Sequence, residues 1–445
     1  MRTNIADVTN IVLGEKYQSK LGMLRSLSAL LSPEEIRNRL PESMIAEASK
    51  VSLGELDGKV KNRKDLSFIE ALGGMLYVVY ATNNLVRNTL APSLGYDEAI
   101  AKGSYFLTLM AAKESFVGLT DHEVAGLVAA SQLDIVYFPK LESVFETAGM
   151  GADRGWGSKD IKTINISTLS AFVIASLDLY SMKHGSYGNT TKVGSTDVPE
   201  KFGANIVLAD PDQIQELLDE TKFWFSDAHS VKTLHYLSHL LMVETINHVI
   251  GPMTAPVSKE TKLYKVLGVN QNVHPKVIAK AYAFLHRLGL VNLGGVVALG
   301  GVDVKPNATK SNSPSWFKEH SYLDELSPTA TVVSMAAGQQ FLGTEVVDAG
   351  TFGLTIDEET LKVRNELAVL LKADEEALRG GPLAEYLACN VALVLSATDL
   401  ERGLDYKAGL RANFQRALAS IENGDALATL DNYVQKTGGK RVSWL

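Results

Sequence analysis

Cysteine is nearly absent from this sequence of 445 residues, which contains only Cys389. A single thiol excludes an internal disulfide framework and is typical of a protein in a reducing compartment. The sequence also lacks an uninterrupted apolar run of the roughly eighteen residues that a membrane-spanning helix needs. Its first residues, MRTNIADVTN, have no apolar segment of the signal-peptide kind. These absences predict a cytoplasmic protein that does not insert into a membrane.

Excess positive charge is absent as well, since the formal net charge is −8. An acidic balance argues against broad binding of nucleic acid or of anionic membranes, although it permits a local basic patch. Hydrophobic residues make up 46% of the chain and charged residues 21%, which supplies enough apolar mass for a sizeable core. The length predicts either two domains or one large α/β unit with a helical subdomain.

The first 140 residues read as helical, because helix-start signals recur and runs of β-branched residues are scarce. Residues 32–35 (SPEE) and 120–123 (TDHE) each combine an N-cap hydroxyl with a glutamate that can close a capping box. From about residue 140, short apolar runs alternate with glycine pairs and helical stretches, as in α/β units. Residues 206–208 and 296–299 are expected to be buried strands, and a helix is expected to begin at Asp210.

The rest of the sequence is expected to contain a polar loop and then further helices. The stretch 303–320 (DVKPNATKSNSPSWFKEH) is expected to be a long surface loop or an insertion. The last hundred residues return to amphipathic helix, which is broken at residues 380–382 (GGP).

The most informative stretch is 183–203, KHGSYGNTTKVGSTDVPEKFG. Its density of lysine, histidine, glycine and hydroxyl side chains is unsuited to a packed core, since the polar groups would need partners at every step. Backbone amides and hydroxyls around a lysine are suited to a phosphorylated ligand. His184 is either a ligand contact or a structural residue.

Two upstream segments extend this interpretation. Asn165, Ser167 and Thr168 precede an apolar helical run, so they lie where the helix dipole favours an anion. The alternative for them is simple N-capping. Residues 149–153 (GMGAD) form a glycine-rich turn whose amides can approach a pyrophosphate, although such a turn is also common without a ligand.

A carboxylate pair, Asp324 and Glu325, follows the polar stretch. Mg²⁺ takes a few protein oxygens and completes its shell with water or phosphate, so this pair is a candidate magnesium site. Adjacent acidic residues on a protein surface are the alternative.

The order of these segments resembles the anthranilate phosphoribosyltransferase family, which shares a fold with the pyrimidine nucleoside phosphorylases. The family order is GTGGD, NIST, KHG with a hydroxyl-rich loop ending in GSADV, a GP segment, and DE. Here it reads as residues 149–153, 165–168, 183–197, 251–252 and 324–325. The resemblance runs from about residue 94 to residue 434 and implies an α/β fold: a helical N-terminal subdomain plus a large α/β domain with a central mixed sheet flanked by helices. Residues 1–70 are interpreted as an additional helical segment, 71–140 as the helical subdomain and 141–445 as the catalytic domain.

The resemblance implies a Mg²⁺-dependent pentosyltransferase that uses phosphoribosyl pyrophosphate, with the site between the two domains and a homodimer formed through the helical subdomain. The implied donor-binding residues are Gly149, Gly151, Asp153, Asn165, Ser167, Thr168, Lys183, Thr191, Lys192 and Ser195. The implied metal ligands are Ser167, Asp324 and Glu325, and the implied acceptor-binding residues are His184, Ser186 and Glu244. The reaction displaces pyrophosphate at the anomeric carbon through a cationic ribosyl transition state, so positioning and electrostatics dominate and no catalytic residue is assigned.

Four departures from the family pattern bear on the substrate. The GTGGD loop reads GMGAD, and a longer stretch separates Asp153 from Asn165, with four notable side chains: Arg154, Trp156, Lys159 and Lys162. Its cations either strengthen phosphate binding, form a lid, or belong to a solvated loop. Ser186 replaces the family asparagine that contacts the acceptor, and Glu244 replaces the arginine that faces the anthranilate carboxylate. Because a glutamate repels a carboxylate, the predicted acceptor is an aromatic amine or nitrogen heterocycle other than anthranilate. The alternative is that Glu244 points to solvent and another group serves in its place.

Two other functions remain open. A nucleoside phosphorylase shares the fold, but the lysine-, serine- and glycine-rich phosphate signature of that branch is not found here. A relative without catalytic activity that binds a nucleotide, nucleic acid or a partner protein is the third, because the GMGAD loop departs from the donor-binding pattern.

Overall fold

The N-terminal third of the protein is helical. The computed structural model describes residues 14–151, 154–188, 191–243, 245–305 and 309–445. Single 3₁₀ turns lie at Gly14–Lys16 and Gln132–Asp134. The helices of this part are α1 Tyr17–Ser28, α2 Pro33–Arg39, α3 Glu42–Ala48, α4 Leu53–Lys61, α5 Phe68–Thr82, α6 Asn84–Leu90, α7 Tyr96–Phe116 and α8 Asp121–Ser131.

Local capping determines where these helices begin. The predicted capping boxes at Ser32 and Thr120 are confirmed, since each hydroxyl accepts from the backbone N–H of the glutamate three residues later. A third box at Ser67 starts α5. The apolar helix α5 packs between α7 and α8, and a Cβ on Gly74 would lie 2.1 Å from the Phe106 ring, so glycine permits this close packing.

A mixed sheet forms the centre of the larger part of the chain, as predicted. Its strands are β1 Ser143–Gly149, β3 Ser181–Gly185, β4 Phe223–Asp227, β5 Lys262–Gly268, β6 Asn292–Val302, β7 Ser321–Leu323, β8 Ala330–Ala337 and β9 Gln340–Val347. The order is β4-β3-β1-β5-β6-β8-β9, with β7 paired to β6. Pairing is parallel from β4 to β6 and antiparallel among β6, β7, β8 and β9. A separate small sheet pairs β2 Ile161–Lys162 with β10 Val363–Arg364 in antiparallel fashion.

The parallel strands end at one edge of the sheet. Gly149 of β1 is in register with Gly268 of β5, and Gly185 of β3 with Asp227 of β4. Loops that follow parallel strands therefore converge beyond this edge, which is where ligands bind in open α/β sheets.

Helices flank the sheet and complete the core. They are α9 Ile166–Ser176, α10 Asp197–Lys201, α11 Pro211–Thr221, α12 Ala228–Val231, α13 Leu234–Leu241, α14 Asn247–Met253, α15 Pro275–Arg287, α16 Pro314–His320, α17 Ala349–Phe352, α18 Glu358–Leu361, α19 Leu367–Ala377, α20 Pro382–Leu395, α21 Ala397–Glu401, α22 Tyr406–Glu422 and α23 Asp425–Lys436. Helix α9 packs on β1 and β3 and against α20 and α23, whereas α15 packs on β6 and β8 and against α8.

Two local expectations for this part are confirmed and two are corrected. Residues 296–299 lie in β6, and Asp210 caps α11. Residues 206–208 are not a strand: Ile206 is buried, but the segment is an irregular connection that leads to α11. The stretch 303–320 is not loop throughout, because Pro314 starts α16 and Phe317 on that helix is buried.

One continuous stretch, Pro382–Glu401, is long and apolar enough to cross a membrane by length and composition. Within the fold, 78% of its most apolar segment is buried, and it packs against α9 and α22 in the core.

Candidate functional site

A cavity of about 220 Å³ opens where β1 and β5 end. Eight of the residues implied to bind the donor or the metal line it: Gly149, Gly151, Asn165, Ser167, Thr191, Ser195, Asp324 and Glu325. These residues come from four separate segments of the chain. The structure therefore brings together the glycine-rich turn, the start of α9, the hydroxyl-rich loop and the carboxylate pair.

Several other singled-out residues do not line this cavity. Lys183 and His184 lie on β3, and Ser186 directly follows that strand. Thr168 is buried in α9. The Lys192 backbone N–H donates a hydrogen bond to Asn365 at 2.7 Å. Asp153 and Glu244 lie outside the described residues, as does Thr190 of the loop.

Asp324 is held against the ends of two strands. Its Oδ2 accepts a hydrogen bond from the Gly151 backbone N–H at 2.7 Å. A Cβ on Gly149 would lie 2.4 Å from Asp324 Oδ2, and a Cβ on Gly268 would lie 1.4 Å from the Asp324 carbonyl oxygen. Glycine at both strand ends therefore permits the carboxylate pair to approach the sheet edge. Gly268 was not singled out from the sequence, because a lone glycine at a strand end gives no specific signal.

The start of α9 is fixed by a buried carboxylate. Asn165 donates to Asp374 of α19 from its backbone N–H at 2.8 Å and from Nδ2 at 2.7 Å. The Asn165 side chain does not cap α9. Burial raises the pKa of Asp374 to about 7, and the two hydrogen bonds from Asn165 oppose that rise. Asp374 thus fixes the orientation of Asn165, and nothing in the local sequence around residue 374 marks it.

Lys183 and His184 are buried on β3 and do not line the cavity. The Lys183 ammonium is buried and donates to the His184 carbonyl, and burial lowers its pKa to about 7 despite the opposing field of Asp324. His184 lies between Gly251 and Glu146, with Nε2 at 2.7 Å from the carbonyl oxygen of Gly251 and Nδ1 at 2.6 Å from Glu146 Oε1. Burial, with the nearby lysines, lowers the pKa of His184 well below its ordinary value. Both ring nitrogens are engaged within the fold, which ties the GP segment to the sheet.

The hydroxyl-rich loop is organised around Asp197. Its Oδ2 accepts from the backbone N–H of Gly188 at 3.1 Å and of Gly194 at 2.9 Å. Gly185 permits close contact with this loop, since a Cβ there would lie 2.5 Å from the Cβ of Ser195. These contacts present Thr191 and Ser195 to the cavity.

The N-terminal helix α1 reaches the same loop. Lys20 is fully buried, 3.5 Å from Asp227 Oδ2 and 3.4 Å from Glu200 Oε1, with its ammonium over the Tyr187 ring. Asp227 also accepts from the Thr196 hydroxyl at 3.1 Å. A lysine from the segment that precedes the family-like region thereby supports the loop.

The cavity suits a hard divalent cation. Asp324, Glu325 and Ser167, which carry carboxylate and hydroxyl oxygens, line one space. The Tyr386 hydroxyl donates to Glu325 at 3.3 Å. Within the described ranges, no group of three or more His, Cys, Asp or Glu residues is placed to hold a metal. A few protein oxygens beside room for water and phosphate are suited to Mg²⁺ rather than to a closed all-protein site.

Comparison with known proteins gives consistent results. The model of the family "Glycosyl transferase family, a/b domain" matches residues 153–306. The anthranilate phosphoribosyltransferase of Methanopyrus kandleri is 30% identical over 329 residues, which is 71% of this chain and 86% of that protein. The anthranilate phosphoribosyltransferase of Leptothrix cholodnii is 30% identical over 321 residues, which is 71% of this chain and 83% of that protein.

Solved structures share the fold. Anthranilate phosphoribosyltransferase from Saccharomyces cerevisiae in complex with phosphoribosyl pyrophosphate and Mg superimposes with a TM-score of 0.61 at 21% identity, covering 88% of this chain and 99% of that one. The enzyme from Thermus thermophilus gives a TM-score of 0.61 at 21% identity, covering 86% and 99%.

Proposed function

The chain belongs to the anthranilate phosphoribosyltransferase family, and from this premise we propose that it transfers phosphoribose from phosphoribosyl pyrophosphate to an aromatic amine or nitrogen heterocycle in a Mg²⁺-dependent reaction. It is a phosphoribosyltransferase, a pentosyltransferase enzyme. The observation that carries the proposal is the single cavity in which Ser167, Ser195 and the Asp324–Glu325 pair meet.

The donor is proposed to lie in this cavity with its phosphates toward the start of α9 and the hydroxyl-rich loop. Ser167, Thr191 and Ser195 supply hydroxyls, and the turn at Gly149 and Gly151 allows close approach of backbone. Because Asp374 takes the Asn165 backbone N–H and one Nδ2 hydrogen, Asn165 has only its second Nδ2 hydrogen for a phosphate oxygen.

Asp324, Glu325 and Ser167 would hold Mg²⁺, which supplies neutralisation of the charge on the departing pyrophosphate. The protein's own part is to orient the donor and to exclude water from the anomeric carbon as the acceptor nitrogen attacks it. Lys183 is proposed to act without lining the cavity: its buried amino group, whose pKa is lowered to about 7, lies near Asp324 and supplies positive charge there when it is protonated.

We also propose an acceptor other than anthranilate. The support is two sequence differences: Ser186 replaces an asparagine that contacts the acceptor, and Glu244 places a carboxylate where the family has an arginine. The relatives named above carry anthranilate in their names, so anthranilate is the reference acceptor for any assay.

Organisation in the cell belongs to the proposal as well. We propose a cytoplasmic homodimer joined through the helical subdomain, with residues 1–70 as an additional segment ahead of residues 71–140 and the catalytic part 141–445. Light scattering after gel filtration measures the oligomer directly, and a mass of one chain would contradict the dimer.

The proposed donor is tested by calorimetry, which measures the binding of phosphoribosyl pyrophosphate with and without Mg²⁺ to the wild type and to Asp324→Ala. We expect metal-dependent binding that Asp324→Ala weakens at least tenfold, since it removes a metal ligand. Asp425→Ala, a surface carboxylate at the start of α23, is the control. Absence of binding to the wild type would overturn the function.

The acceptor half is tested by pyrophosphate release with anthranilate and with 2-aminobenzamide, which has the same ring and amine but no carboxylate. We expect faster release with the uncharged compound. Rapid turnover of anthranilate at micromolar concentration would contradict the acceptor proposal and leave the donor proposal intact.

A further inference from the structure

We infer that Lys162, carried by the small β2–β10 sheet, is a phosphate-binding residue of the donor site. The inference rests on the proposed function, since it takes the ligand of the cavity to be a phosphorylated sugar. It concerns the stretch between the glycine-rich turn and α9 that is longer than the family pattern.

Lys162 lines the same cavity as Ser167, Ser195 and Asp324. It is partly buried. Within the part of the chain that the structure describes, its ammonium makes no ion pair and no hydrogen bond. Lys183, the lysine of the family motif, does not line the cavity and donates instead to the His184 carbonyl. Among the residues that the structure describes, the basic residue that lines the cavity therefore comes from the added stretch.

The backbone that carries Lys162 is held in place, which distinguishes it from a solvated loop. Lys162 pairs with Val363 across the small sheet. At the other end of the stretch, the Gly155 backbone N–H donates to the Tyr322 carbonyl at 2.8 Å, and the Arg154 guanidinium donates to the carbonyl of Glu319 at 2.8 Å. The stretch is thus fixed against the segment that leads to Asp324.

Asn365, just after β10, joins this stretch to the hydroxyl-rich loop. Its backbone N–H donates to the Asp160 carbonyl at 2.7 Å and its Nδ2 to the Lys159 carbonyl at 2.8 Å. Its Oδ1 accepts from the Lys192 backbone N–H at 2.7 Å and from the Thr191 hydroxyl at 3.3 Å. One side chain therefore sets the distance between Lys162 and the loop hydroxyls.

Charge gives the reason for a cation at this point. The cavity carries the carboxylates of Asp324 and Glu325, which alone would repel a pyrophosphate. Lys162 places a mobile positive charge in the same space, where an ammonium can follow phosphate oxygens from the bound to the departing state.

The test measures the dissociation constant of phosphoribosyl pyrophosphate with Mg²⁺ for Lys162→Ala, with Lys159→Ala as the control. Lys159 is exposed, lies on the same stretch and carries the same charge, so the control reports general electrostatics. We expect Lys162→Ala to weaken binding about tenfold to a hundredfold, Lys162→Arg to retain most of the affinity, and Lys159→Ala to change it less than twofold. Equal affinities of Lys162→Ala and Lys159→Ala would overturn the inference.

Two simpler probes identify the phosphate that Lys162 binds. Loss of inorganic pyrophosphate affinity in Lys162→Ala assigns the contact to the leaving group, whereas loss of ribose 5-phosphate affinity assigns it to the sugar phosphate. Loss of neither overturns the inference. Failure of the wild type to bind phosphoribosyl pyrophosphate would instead overturn the proposed function, so the two failures are distinguishable.

Discussion

At the scale of single residues, the site is supported by buried ionisable groups that do not line the cavity. Asp374 holds Asn165, Glu146 contacts both His184 and Lys265, and Lys183 interacts electrostatically with Asp324. Each of these groups is buried, so each is held by specific partners because an unpaired buried charge is costly. Changes to these side chains should alter stability or geometry before they alter chemistry.

Asp374 should make stability depend on pH. Its pKa is about 7 in the folded protein and 3.8 in the unfolded chain, so between pH 4 and 7 the native state binds the extra proton. The free energy of unfolding should therefore fall as pH rises through that interval, by up to about 4 kcal/mol, and stay level above pH 7. Asp374→Asn should lose this component. Guanidinium unfolding at several pH values measures it, and the exposed Glu422→Gln is the control. Parallel pH profiles for wild type and Asp374→Asn would contradict the assignment.

Gly268 should tolerate no side chain. A Cβ there would lie 1.4 Å from the Asp324 carbonyl, so Gly268→Ala must displace the segment that carries the carboxylate pair. We expect a loss of stability of about 2–4 kcal/mol and loss of Mg²⁺-dependent donor binding. Gly58→Ala is the matched control: Gly58 lies in helix α4, and a Cβ added there would have no neighbour within 4 Å. Alanine there should be neutral or stabilising by less than about 1 kcal/mol. Thermal melts measure the stability of both variants, and calorimetry measures their donor binding.

At the scale of elements, α1 acts as a support for the hydroxyl-rich loop. Burial alone would raise the pKa of Asp227, but Lys20, with help from His229 and Ser230, holds it well below the ordinary value. That field keeps Asp227 ionised and able to accept from Thr196, next to Ser195. The position of a loop hydroxyl thus depends on a helix from the N-terminal segment.

Lys20→Met should loosen this loop. It leaves the buried Asp227 carboxylate without its main cation, so we expect a loss of about 2–4 kcal/mol in stability. Hydrogen exchange at the Gly188 and Gly194 amides should speed up as well. Lys16→Met, which removes a more exposed lysine that contacts the same Glu200, should have a much smaller effect. Unchanged amide exchange in Lys20→Met would show that α1 does not hold the loop.

Local signals made the elements predictable, and distance in sequence made the rest of the site unpredictable. The capping boxes at Ser32 and Thr120, and the strand around residue 297, depend on neighbouring residues. The cavity's glycines, hydroxyls and carboxylate pair belong to recognisable segments. By contrast, Asp374 and Asn365 act through tertiary contacts with segments far away in the chain, and neither has a local pattern. Lys183 is buried and does not line the cavity, and the burial of a single lysine could not be predicted from the sequence.

At the scale of the whole molecule, the helical and sheet-containing parts share one hydrophobic core. Phe284 of α15 meets Phe68 of α5 at 5.4 Å and His122 of α8 at 4.6 Å between ring centroids. Buried hydrophobic side chains therefore form one cluster on both sides of the boundary near residue 140, so the two parts do not have separate cores.

A shared core should unfold as one unit. We expect calorimetry to give a single endotherm, with probes in α5 and in the sheet reporting the same midpoint, because loss of either part exposes the apolar face of the other. A chain that begins at residue 141 should be poorly folded on its own. Two resolved transitions, or a stable, cooperatively folded 141–445 fragment, would contradict this.

The contacts that close the cavity also determine when the cavity can form. Gly151 meets Asp324 across 173 positions of sequence, Lys192 meets Asn365 across 173, and Asn165 meets Asp374 across 209. On the ribosome, the glycine-rich turn and the KHG segment therefore emerge long before their partners. Since contacts of such long range form late and slowly, the nascent chain cannot capture its ligand until most of the C-terminal third has been made.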